Sequence, residues 1–167
     1  SNDLWLVDFD RFLKTGQIEK RVVSVGVPGT AAGSVIDNVL YLKTTKGAAK
    51  GQLVAVDAQA PDLAKARVVV PERADAVLEG VAFARGRMAV SYMINAATTI
   101  EVFDPAGVKQ GAVALPGIGS ASVAAEPDRT EAYLTFTSFN YPTSIFQVDL
   151  ATPTEPGVLW EQPEVPV

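Results

Sequence analysis

Apolar residues in this chain come in short runs, and four of the runs close on an aspartate: Leu4-Trp5-Leu6-Val7-Asp8, Leu53-Val54-Ala55-Val56-Asp57, Ile100-Glu101-Val102-Phe103-Asp104 and Ile145-Phe146-Gln147-Val148-Asp149. Each copy has Leu or Ile four places before the aspartate and Val or Phe immediately before it. The aspartates are spaced 49, 47 and 45 residues apart, the length of one four-stranded propeller blade. Such a period sets the architecture on which every other residue is placed.

Between the aspartates one order of strands recurs. After a turn at Pro28-Gly29, strands are predicted near 31–36, 39–44, 53–57 and 66–70, and residues 71–75 read as a link. The next unit offers 78–84, 87–94, 98–104 and 110–115, followed by a link at Pro116-Gly117. The last offers 120–125, 131–137, 143–149 and 158–161. Alternation supports these segments: Val39, Tyr41 and Lys43 oppose Leu40, Leu42 and Thr44, and Ala132, Leu134 and Phe136 oppose Tyr133 and Thr135. Before them lie two strands, 4–8 and 21–25, matching the third and fourth positions of a blade, with a helical turn between them ended by Gly16. The expected fold is all-β: a partial β-propeller of about three and a half four-stranded antiparallel blades. Its parts are a half blade over 1–27 and blades over 28–71, 72–116 and 117–162, with 163–167 as a stiff Pro-rich linker. A ring needs at least four blades, so this chain does not close one by itself.

Composition narrows the function. At 167 residues with 48% hydrophobic and 20% charged, the chain can bury a core. Net charge is −5, and the densest basic stretch, Lys43, Lys46 and Lys50, reads as a solvated hairpin tip, so nucleic acid and anionic membrane are poor partners. No apolar run reaches the length of a membrane span. No signal peptide is visible, Ser1-Asn2 resembles a tag-cleavage scar, and the compartment stays open.

The usual catalytic signatures are missing. Cysteine and histidine are absent, which removes thiolate metal sites and the usual base of serine and cysteine hydrolases. In Gly117-Ile118-Gly119-Ser120-Ala121 the serine is misplaced for a nucleophile elbow, and Ser122 breaks a dinucleotide fingerprint, so a tight inter-blade turn is the reading. Gly47 and Gly51 make no phosphate loop. Asp8 with Asp10, and Glu126 with Asp128, have too few neighbouring oxygen ligands for calcium and read as turn formers. The repeat aspartates are expected to accept backbone N–H bonds and start the turn into the last strand, a structural duty that fits their fourfold recurrence. No cofactor, metal or catalytic residue is predicted.

With the repeat laid out, the chain resembles the second half of the N-terminal propeller domain of the prolyl oligopeptidase family of serine peptidases. Three stretches carry the likeness: Asn2 to Asp8; Val69-Val70-Pro71-Glu72 leading to Val77-Leu78-Glu79-Gly80-Val81-Ala82 and Ala89-Val90-Ser91-Tyr92; and Phe136-Thr137-Ser138-Phe139 with Pro142, Ile145-Phe146 and Asp149-Leu150. The resemblance implies a propeller that limits access to an α/β-hydrolase domain bearing a Ser-Asp-His triad, which cleaves short peptides after proline. No triad position falls in this chain, which is therefore expected to be inactive alone. The implied partners are the parent's hydrolase domain and its peptide substrate.

Topology then places the interdomain face. The first strand of a blade starts and the fourth ends on one face, which also bears the loops between second and third strands: 45–51, 95–98 and 138–142, with links 71–75 and 116–118. Ser138, Phe139, Asn140 and Tyr141 are the candidate interdomain, gating residues; alternatively, Phe139 and Tyr141 plug the seam between blades. Two further readings are a stand-alone propeller-like protein-interaction module and a propeller enzyme of another kind, such as a lactonase or glycosidase. The second is weakened by the missing histidine and acidic cluster. End blades with uncovered apolar faces also predict a homo-oligomer of the isolated chain.

Overall fold

A computed structural model describes residues 2–162, so the proposed linker at 163–167 lies outside the described residues. The chain divides into two compact units after Glu72. In the first, β1 (Leu4–Val7) and β2 (Lys20–Ser24) form a two-stranded antiparallel sheet, with helix α1 (Phe9–Thr15) between them. There follow β3 (Ala31–Ile36), β4 (Val39–Thr44), β5 (Gln52–Asp57) and β6 (Arg67–Val70), a meander in sequence order. The second unit has two such meanders. One comprises β7 (Val77–Ala84), β8 (Arg87–Ile94), β9 (Ala97–Phe103) and β10 (Lys109–Ala112). The other comprises β11 (Ser120–Ala125), β12 (Glu131–Ser138), β13 (Tyr141–Asp149) and β14 (Val158–Glu161). The described residues thus give three four-stranded sheets and a two-stranded one, the predicted three blades and a half.

Local chemistry explains the boundaries. Helix α1 starts at Phe9 because the Asp8 carboxylate accepts the Arg11 N–H at 2.9 Å, and it stops at Gly16, which takes the left-handed conformation (φ 69°) and donates to the Phe12 carbonyl. The other repeat aspartates serve the turn after the third strand. Asp57 accepts from Gln59 N and Asp149 from Ala151 N, 2.8 and 2.9 Å; Asp104 accepts from both Ala106 N and Val108 N, at 3.0 and 2.9 Å. Asp104 carries more because its successor is Pro105, which has no N–H. The equivalent residues Ala58 and Leu150 instead donate to Asn38 and Thr130 carbonyls, each at 2.9 Å.

Some strand limits differ from expectation. The fourth strand expected over 110–115 is β10, Lys109–Ala112, because Ala114 N turns to the Pro153 carbonyl at 3.1 Å. Tyr141 and Pro142 belong to β13, so the hairpin expected over 138–142 shrinks to a Phe139-Asn140 tip. The hairpin expected over 95–98 is a two-residue turn, Asn95-Ala96, with φ of 49° and 62°.

Each unit has its own core. In the first, Leu4 and Leu6 of β1 pack against buried Val23, Leu40, Leu42, Val54 and Val56. In the second, Ala89, Ile100 and Val102 of the β7–β10 sheet meet Leu134, Phe136, Phe146 and Val148 of the β11–β14 sheet. The side chains of the third strand two and four places before the aspartate (Leu6 and Leu4, Val102 and Ile100) thus face the following sheet. That alternation, one face per neighbour, is what lets a blade be apolar on both sides.

Candidate interdomain surface

Within each unit the second-to-third hairpin and the inter-sheet link lie at one end of the sheets, as topology requires. In the first unit the 45–51 hairpin meets both flanking links. Thr45 Oγ1 accepts Thr30 N at 2.8 Å, Thr45 N donates to the Thr30 carbonyl at 3.0 Å, and Lys50 N donates to the Glu72 carboxylate at 2.6 Å. In the second unit Thr98, just past the Asn95-Ala96 turn, donates its N–H to the Gly119 carbonyl at 2.9 Å and accepts Ala121 N at 3.1 Å on its hydroxyl. Gly119 sits so close to the β12–β13 hairpin that a Cβ there would lie 2.3 Å from the Thr137 carbonyl oxygen. The hydroxyls of Thr44, Thr45 and Thr98 at this end accept backbone N–H groups, as in a scaffold.

Asn2 joins this pattern. Its side-chain oxygen accepts Ala31 N at 2.8 Å while its nitrogen donates to the Ala31 carbonyl at 2.6 Å. Asn2 occupies the position six residues before a repeat aspartate that Thr98 holds in a later copy, and it grips the same point of the next sheet.

The four candidate residues separate. Phe139 is fully exposed at the hairpin tip, and Asn140 beside it is exposed. Tyr141 is half-buried, its ring 5.8 Å from Phe136 and 6.4 Å from Phe146, so it closes the core edge. Ser138 pairs with Tyr141 across the hairpin and is half-buried. Phe139 alone of the two aromatics offers its ring outward.

The link 71–75 carries a charge network that the linear sequence does not reveal. Arg73 makes a two-pronged bond to Asp75 (3.0 and 2.6 Å) and reaches Glu101 at 2.9 Å, with its guanidinium 5.0 Å from the Tyr92 ring centre. Lys109 Nζ also meets Glu101, at 3.0 Å, so a buried carboxylate is held by two cations. The Asp75 hydrogen bond, followed by the attraction of Glu101, holds Arg73 well above the usual guanidinium range. Burial, with Glu101 adding to it, pushes the Tyr92 phenol up to about 12. Arg73 and Glu101 are 28 residues apart, and only the blade topology brings them together.

A cavity of about 280 Å³ opens in the first unit beside Asn2, between the 27–31 link and the face of Leu42 and Val54. Lys46 is its one ionisable lining residue, so it offers packing and solvent space and no acid–base pair.

Comparison with known proteins agrees with this scaffold. The family description "Prolyl oligopeptidase, N-terminal beta-propeller domain" matches residues 2–158. The dual function macrocyclase-peptidase POPB of Galerina marginata (strain CBS 339.88) is 29% identical over 157 residues, covering 91% of this chain and 21% of that protein. Its counterpart in Amanita bisporigera is 30% identical over 156 residues, again with 91% and 21% covered. Among solved structures, a prolyl endopeptidase superposes with a TM-score of 0.84 at 28% identity, over 92% of this chain and 22% of that one. Ligand-free prolyl oligopeptidase B from Galerina marginata gives 0.82 at 26% identity, over 96% and 23%. The chain spans about a fifth of the length of the curated relatives it matches.

Proposed function

Because the chain belongs to the prolyl oligopeptidase family, as a β-propeller segment of its N-terminal domain, we propose that it is the non-catalytic, substrate-gating part of a serine peptidase that cleaves short peptides after proline. The observation that carries this reading is continuity: the match runs over 2–158, and the carboxylate of Asp104 and the hydroxyl of Thr98 serve a turn and a sheet junction. The sheet end bearing the hairpins and links faces the hydrolase domain, with Phe139 and Asn140 as its contact residues and Ser138 and Tyr141 holding that tip in place. The isolated chain, with Trp5, Val22 and Trp160 exposed, self-associates; a monomer by light scattering at high concentration would count against that.

The test uses the full-length parent. It should hydrolyse a short proline-containing peptide and leave the same sequence intact inside a folded protein. Equal cleavage of both would remove the gating role, and failure to cleave either would remove the peptidase reading.

A further inference from the structure

We infer that the cavity of about 280 Å³ in the first unit is a binding site for a small monocarboxylate with an apolar body. The inference goes beyond the gating role and does not rest on it. The inner wall is aliphatic, built from Leu42 of β4, Val54 of β5 and Leu63 of the short turn before β6. At about 30 Å³ for each water-sized group, the cavity has room for about nine of them, the size of a phenyl ring carrying a short acid.

The walls are fixed without a ligand. Asn2 binds both the N–H and the carbonyl of Ala31, at 2.8 and 2.6 Å, and the Thr30–Thr45 pair ties the 27–31 link to the β4–β5 hairpin at 2.8 and 3.0 Å. Gly29 lies so near that hairpin that a Cβ there would sit 2.9 Å from Thr45 Oγ1. A site formed in advance loses little to ordering when it binds.

Two polar groups identify the ligand. Ser24 lines the cavity and is only 7% exposed, yet its hydroxyl makes no hydrogen bond among the described residues. Its partner has to come from the cavity, because a buried hydroxyl left unpaired is costly. Lys46 is the one ionisable residue of the lining and forms no ion pair among the described residues. Thr44 takes the Lys46 N–H on its oxygen at 3.1 Å, which leaves its own hydrogen to donate. One positive charge, hydroxyl donors and an aliphatic wall without a carboxylate fit a single negative charge. A phosphate dianion would find one lysine where it needs several charged donors, and a cation would be repelled by it. The carboxylate therefore meets Lys46 and Thr44, and the apolar body lies on Leu42 and Val54. With no acid–base pair in the lining, the site holds its ligand unchanged.

Phenylacetate is the probe, with phenylacetamide as its uncharged match and phenyl phosphate as the dianion. Ser24→Ala deletes a hydroxyl without a protein partner and Lys46→Gln alters an exposed side chain, so both variants should unfold with the wild type. Calorimetric titration of the full-length protein reads the binding that these variants weaken, since binding elsewhere is indifferent to them. If the inference holds, Ser24→Ala weakens phenylacetate roughly 2- to 10-fold, the range of one neutral hydrogen bond. Lys46→Gln weakens it roughly 2- to 5-fold, the range of an exposed ion pair. Three results overturn it: phenylacetate binding that neither variant changes, equally tight binding of the amide at this site, or tighter binding of phenyl phosphate. Absence of any binding also overturns it, and would mean that other residues of the polypeptide fill the cavity. Failure to cleave a proline-containing peptide would remove the proposed function and leave the titration result standing.

Discussion

The hydroxyl of Thr98 accepts the N–H of Ala121 across a sheet-to-sheet seam at 3.1 Å, and Thr98 is itself buried. Valine fills the same volume without the acceptor, leaving the Ala121 N–H unpaired in that seam. Thr98→Val should therefore cost about 1–3 kcal/mol, while Thr98→Ser stays near wild type. Urea unfolding followed by tryptophan fluorescence would show it; equal midpoints for the two variants would mean that the hydroxyl contributes nothing.

The repeat aspartates differ in how much they hold. Asp104 accepts two backbone N–H groups, and Asp57 accepts one from Gln59. Asp104→Ala should lose about 1–2 kcal/mol and Asp57→Ala about half of that, since each such bond contributes about 1 kcal/mol net. Thermal unfolding of the two variants side by side tests the ordering.

The same turns show what was legible in the chain. The aspartate repeat and the alternation at Val39–Thr44 report local backbone geometry, so the blade count and most strands followed from them. The seam contacts did not. The grip of Asn2 was hidden because its partner, Ala31, is 29 residues away. Arg73 and Glu101 are brought together by strand order, which no short motif encodes. Tyr141 and Phe139 looked alike in sequence, yet register turns one ring onto Phe136 and the other out to solvent. The signal that could have exposed the seam was the repeat itself, extended six residues upstream of Asp8 and Asp104 to Asn2 and Thr98.

Ala96 occupies the second central position of a two-residue hairpin turn at φ 62°, where its Cβ crowds the backbone, and it is exposed. Ala96→Gly relieves that strain, offset in part by the greater freedom of glycine in the unfolded chain, and should stabilise by about 0.5–1 kcal/mol. A lowered unfolding midpoint would show that the methyl group makes a contact worth more than the strain.

Burial first, and Glu101 second, raise the Tyr92 phenol to about 12. The folded state keeps this proton after the unfolded state has released its own near pH 10, so the folded state binds more protons between 10 and 12. Stability from this group is thus fully present below pH 10 and falls through that window. Tyr92→Phe should flatten the decline of stability over pH 10–12 relative to wild type. An unchanged slope would mean that other groups govern the alkaline limb.

Phe139 and Tyr141 separate two roles that one hairpin combines. Tyr141 packs on Phe136 and Phe146, so Tyr141→Ala opens a gap at the core edge and should destabilise the propeller by about 2–4 kcal/mol. Phe139 touches solvent, and Phe139→Ala should leave the unfolding midpoint of this chain within about 0.5 kcal/mol of wild type. In the proposed full-length peptidase the order reverses if the tip meets the hydrolase domain. There, Phe139→Ala should alter turnover of longer peptides relative to short ones at unchanged propeller stability. Should Phe139→Ala leave that ratio unchanged, the tip lies outside the substrate path. The contact face would then have to be sought at the Arg73–Asp75 link, on the same end of the sheets.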